Sequence, residues 1–112
     1  MQLAQVAALL ASWAARKPLV GRVFLFGSRV RGDHSSNSDL DIAIELDPAE
    51  CHGDQSGGLA TWMRDTDDWQ EEIAKMIPLK IDLEQYRGED TPRILKALAQ
   101  SSFVIYEKIA GK

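Results

Sequence analysis

Residues 26–46, "FGSRVRGDHSSNSDLDIAIEL", carry the pattern on which the fold turns. From Ser38 to Leu46 the chain alternates: Leu40, Ile42, Ile44 and Leu46 take one face, while Asp39, Asp41, Ala43 and Glu45 take the other. That two-residue period predicts a β-strand with one dry face. Asp39 and Asp41 then project in the same direction, about 7 Å apart at Cα by the usual rise. On a solvated face water would screen such a pair, so the stretch upstream decides what the pair is for. "RVFLF", residues 22–26, reads as a short buried strand between Gly21 and Gly27. It runs straight into Gly27-Ser28, and the residues after that step can begin a helix whose free N–H groups face an anion. Arg29 and Arg31 lie in the same turn. An anion cradle one loop before paired carboxylates is what phosphoryl and nucleotidyl transfer need. Mg²⁺ takes oxygen ligands and bridges protein carboxylates to substrate phosphates.

Working outward, Leu3, Val6, Ala7, Leu10 and Trp13 recur at helical spacing and predict an amphipathic helix ending near Lys17-Pro18. "DPAECHGDQSGG", residues 47–58, is rich in turn formers and reads as the mobile loop. Leu59, Trp62, Met63, Thr66, Trp69, Ile73, Met76 and Ile77 predict a long helix stopped at Pro78, with Trp62, Met63, Trp69, Ile73 and Met76 packed in the core. "LKIDLEQY", residues 79–86, alternates like the first strand pair and sets Asp82 and Glu84 on one face. Asp82 is therefore the expected third carboxylate, with Glu84 as the fallback. Thr91-Pro92 resembles an N-cap followed by proline at the first helical position, with Ile94, Leu95 and Leu98 in a short helix. "FVIYE", residues 103–107, closes the chain as an extended segment. The order predicts one α+β domain over residues 1–112, an α/β sandwich with a small mixed sheet flanked by helices.

The chain has 112 residues, 45% of them hydrophobic, and a formal charge of −4, which suits one globular core and argues against a general nucleic-acid binder. Between Asp47 and Glu72 eight acidic side chains face one basic one, Arg64, and that flank should repel DNA or RNA. The acidic run from Asp65 to Glu72 reads as a solvated helix face. A single cysteine, Cys51, makes neither a disulfide nor a zinc site, so a reducing cytoplasm is the expected setting. The amphipathic start predicts neither a signal peptide nor a membrane span. His34, Cys51 and His52 read as loop residues without a chemical role.

Gly27-Ser28, ten intervening residues and Asp39-x-Asp41 match the GS-x10-D-x-D signature of the DNA polymerase beta nucleotidyltransferase superfamily. The form "GSRVRGDHSSNSDLDIAI" looks most like the minimal nucleotidyltransferases, often paired with a HEPN-domain protein in toxin–antitoxin modules. The resemblance runs through "KIDLEQY" and "PRILKALAQSSFVIYE" and implies the nucleotidyltransferase fold. It departs from the family at Ser101-Ser102, where members often carry Glu-Gly. It further implies that Gly27 and Ser28 hold the β- and γ-phosphates of ATP. Ser38 belongs to the same nucleotide-binding set, and Arg29 or Arg31 neutralises phosphate charge. Asp39 and Asp41 would bind both ions of a two-metal Mg²⁺ site, and Asp82 the metal that activates the attacking hydroxyl, acting also as general base. The implied reaction moves AMP to a hydroxyl, a tyrosine of a HEPN-type toxin, with this chain the antitoxin in a homo- or hetero-oligomer. The alternative is an antitoxin that neutralises its partner by contact alone. An antibiotic-modifying transferase would need a further helical domain to hold its acceptor.

Overall fold

The computed structural model describes residues 1–109. Helix α1 spans Leu3–Ala15, opened by the Gln2 N–H donating to Gln5 Oε1 at 2.8 Å. Strand β1 covers Val20–Phe26, a one-turn helix α2 covers Ser28–Arg31, and strand β2 covers Leu40–Leu46. Helix α3, Leu59–Met76, crosses over to strand β3, Ile81–Gln85; helix α4, Pro92–Gln100, leads into strand β4, Ser102–Glu107. The sheet order is β3-β2-β1-β4. β1 pairs antiparallel with β2 and β4, whereas β2 and β3 are parallel, as a helical crossover between strands of one sheet requires. The mixed sheet flanked by helices is the expected α+β sandwich.

Two apolar layers explain why the helices settle where they do. On one face α1 and α3 cover the dry side of the strands: Val6, Leu10, Trp13, Trp69 and Ile73 meet Val23, Leu25, Leu40, Ile42 and Ile44. Trp13 packs edge-on against Trp69, their ring centroids 5.7 Å apart, and Trp69 packs edge-on against Trp62. The indole N–H of Trp13 donates to Glu72 Oε1 at 2.9 Å, and Lys17 Nζ lies 2.6 Å from the same oxygen. These two donors hold the Glu72 carboxyl below its usual range. On the other face α4 lays Ile94 and Leu98 over Phe24, Phe26 and Ala43.

Several local expectations change. The second face of β2 is not open along its length, because α4 buries Ala43 completely. Asp39 precedes β2 instead of lying within it. Met63 is 68% exposed and leaves the tryptophan layer, since it sits one position round the helix from Trp62. Thr91 occupies the N-cap of α4, but its hydroxyl accepts from the Arg87 N–H and bonds the Gly88 carbonyl instead of capping the helix. Within the loop before α3, Asp54 accepts from the N–H and hydroxyl of Thr61 at 2.9 and 2.7 Å, tying the loop to the start of the helix. Among the described residues no helix is long and apolar enough to cross a membrane.

Candidate active site

β1 ends at Phe26, which lies opposite Asp41 in the antiparallel ladder, so the next residue must turn away directly over that carboxylate. Gly27 does so with φ +83°, a conformation that side-chain-bearing residues rarely adopt. A Cβ on Gly27 would stand inside the carboxylate of Asp41, so the glycine is required by space as well as by backbone. The Gly27 carbonyl then accepts from the N–H groups of Val30 and Arg31, both at 3.1 Å, which starts α2. The N–H groups of Ser28 and Arg29, being first in the turn, have no intrahelical partner.

The parallel ladder fixes the second half of the site. Asp41 is the register partner of Asp82, so both side chains leave the same face of the sheet on neighbouring strands. The two carboxyls are thereby neighbours across the ladder. Asp41 is pushed up to about 6, first by burial, then by the hydrogen bond and charge of Asp82 and the charge of Asp39, with Arg31 opposing. Two neighbouring carboxyls can share a proton or a cation, and hard oxygen donors of this kind suit Mg²⁺. Asp41 and Asp82 are the residues that could hold a divalent ion here.

The remaining expected residues divide. Asp39 Oδ1 lies 3.8 Å from Lys80 Nζ, and among the described residues no group of three acidic, histidine or cysteine side chains closes around one point. Glu84 points along the same face as Asp82 but pairs with Arg93 at 3.0 Å, so Asp82 and not Glu84 meets Asp41. The guanidinium of Arg29 donates twice to the Ser38 carbonyl, at 3.1 and 2.9 Å, clamping α2 to the approach to β2. Ser38 Oγ accepts from the Ser35 N–H at 3.0 Å and so belongs to the hinge. Arg31 has a looser bond to Asp33 at 3.2 Å and acts on Asp41 by charge. Sequence reasoning missed Lys80 and Arg93. Lys80 could have been found by extending the Asp41–Asp82 register back to position 39, whereas nothing local marks Arg93. A cleft of about 420 Å³ lies at the far end of the β1–β2 hairpin, between Gly21, Glu45, Asp47 and Lys108, and contains none of these groups.

A family model described as Polymerase beta, Nucleotidyltransferase matches residues 10–109. No curated protein matches the chain in sequence. Among solved structures, a crystal structure of a toxin–antitoxin with AMP-PNP superposes with a TM-score of 0.59 at 20% identity, covering 93% of this chain and 73% of that one. A protein of Sulfolobus solfataricus assigned as a nucleotidyltransferase gives a TM-score of 0.52 at 17% identity, covering 96% of this chain and 81% of its own. At these identities both likenesses concern the fold.

Proposed function

Because the chain belongs to the polymerase beta nucleotidyltransferase family, we propose that it transfers a nucleoside monophosphate, AMP from ATP, to a hydroxyl of a partner protein. The partner would be the HEPN-type toxin of a toxin–antitoxin pair and the acceptor its tyrosine. The observation that carries this reading is the register pairing of Asp41 with Asp82 beside Gly27, which sets a tight glycine turn against two neighbouring carboxylates. A toxin–antitoxin structure holding AMP-PNP shares the fold and supports the choice of nucleotide and partner.

In this reading the open N–H groups of Ser28 and Arg29 receive the terminal phosphates, and Arg31 balances their charge. Asp41 and Asp82, with Asp39 swinging from Lys80, would hold two Mg²⁺ ions, which supply charge neutralisation on the triphosphate and on the departing pyrophosphate. Asp82 takes the proton of the attacking hydroxyl. The hydroxyl oxygen bonds to the α-phosphorus, the bond from that phosphorus to the bridging oxygen breaks, and pyrophosphate leaves with the electron pair. The Arg29 guanidinium, held on the Ser38 carbonyl, positions the hinge while its backbone N–H faces the phosphates.

A second reading, an antitoxin acting by contact alone, draws support from Asp39, whose carboxylate lies 3.8 Å from Lys80 and closes no group of three with the others among the described residues. Incubating the chain with labelled ATP, Mg²⁺ and the product of the neighbouring gene separates the two. The catalytic reading expects label on the partner, and expects Asp41→Asn to abolish labelling and neutralisation while the complex still forms. Undiminished neutralisation by Asp41→Asn would establish the contact reading instead.

A further inference from the structure

Strand β3 forms one edge of the sheet, and its hydrogen bonds define which of its groups remain open. The ladder to β2 begins with the Leu40 N–H on the Lys80 carbonyl at 2.8 Å and ends with the Tyr86 N–H on the Ile44 carbonyl at 2.9 Å. In a parallel ladder alternate residues turn both backbone groups to the neighbour. Residues 80, 82, 84 and 86 therefore face β2, and Ile81, Leu83 and Gln85 face outward. The Ile81 carbonyl is already covered, accepting from Gln70 Nε2 at 3.0 Å. The backbone groups of Leu83 and Gln85 have no partner among the described residues.

Beside them lies a cleft of about 350 Å³ between the N-terminal ends of α3 and α4, walled by Leu59, Trp62 and Pro92 and bordered by Gln85, Arg87 and Arg93. Gln85 is 8% exposed; its amide nitrogen donates to the Gly58 carbonyl, but its Oε1 has no partner. A buried acceptor left unpaired is costly.

We propose that this edge seats the acceptor: an extended polypeptide segment that adds to β3 as a further strand and brings its hydroxyl side chain alongside Asp82. The inference rests on the nucleotidyl-transfer reading and adds the form in which the substrate arrives. The outward N–H and C=O groups of Leu83 and Gln85, two residues apart, match an extended chain, as in other β-strand additions, and do not match a helix. A strand added here runs about 4.8 Å from β3, and its residue beside Asp82 points to the face that carries Asp41 and Asp82. From Gln85 back to Asp82 is about 10 Å of strand, so an apolar side chain of the segment fills the cleft at Trp62 while the hydroxyl residue stands at the carboxylates. An RNA acceptor is disfavoured, because Asp67, Asp68 and Glu71 are exposed along α3 beside this edge.

The test uses the intact chain with Mg²⁺, ATP and a pool of ten-residue peptides, each with a central tyrosine and randomised flanks. Mass spectrometry identifies the adenylylated peptides, and amide hydrogen exchange follows the chain with those peptides bound. The expected result is that exchange at Leu83 and Gln85 slows at least tenfold. Trp62→Glu and Leu83→Pro should each cut labelling at least tenfold with Mg·ATP affinity within twofold of the unaltered chain. Labelled peptides that leave Leu83 and Gln85 exchange unchanged, or that Trp62→Glu labels at full rate, overturn the proposal. Mg·ATP binding with no peptide labelled or bound overturns it as well. If Mg·ATP itself does not bind, the nucleotidyl-transfer reading fails, and peptide protection at Leu83 and Gln85 still decides the docking edge.

Discussion

Gly27 is the residue on which backbone conformation and site geometry depend together. Its positive φ and the missing Cβ let the chain turn over Asp41 without touching it. Gly27→Ala should therefore destabilise the fold by about 1–3 kcal/mol, the usual cost of a strained backbone. It should also lower nucleotidyl transfer about 100-fold by displacing the carboxylate; thermal melts and initial rates, measured together, check both. At this scale the sequence is legible where spacing dictates placement: the signature brings Gly27 over Asp41, and alternation sets Asp82 on the face that Asp41 shares. It is illegible where a long side chain chooses among neighbours. Arg29 gives its fork to the Ser38 carbonyl and Asp39 leans on Lys80, choices made by loop path and strand register. Arg29→Lys tests the clamp. A point charge cannot reproduce the two parallel bonds, so the variant should lose transfer while its Mg·ATP affinity changes little.

Among the elements, α1 and α3 depend on each other through Trp13, which is 1% exposed, packed edge-on against Trp69 and bonded to Glu72. Trp13→Ala should cost about 3–5 kcal/mol, measurable as a lowered denaturant midpoint. The helices were readable because the 3.6-residue period persists over several turns, and the strands because Ile42, Ile44, Ile81 and Leu83 alternate with polar residues. Their ends were not. β2 begins at Leu40 and β3 stops at Gln85, positions set by where the partner strand begins and by the Thr91 and Arg87 bonds that turn the chain. The burial of Ala43 was equally hidden, because a small residue on a polar face gives no hint of the helix above it.

For the molecule as a whole, the balance of its carboxylates sets the response to acid. Asp41 is raised to about 6, so its charged form burdens the fold above that pH; as pH falls from about 6 towards 4 the folded state takes up the proton first and gains stability. Asp47, Asp54 and Glu72 are lowered, so what they contribute is present above the normal carboxylate range and disappears as pH drops through their folded values. In chelating buffer the melting temperature should thus rise slightly from pH 7 to about 5 and fall below about 4. Asp41→Asn should raise it at pH 7 and flatten the upper limb; an unaltered upper limb in that variant would refute the assignment. The crossover between β2 and β3 also imposes an order on biogenesis. Gly27 meets Asp41 across a hairpin, a local closure, whereas Asp82 reaches Asp41 only after residues 47–80 have been laid down and α3 has docked. Loops of that length close later than hairpins. A chain that ends before residue 81 thus carries the Gly27 turn over Asp41 but lacks the second carboxylate beside it.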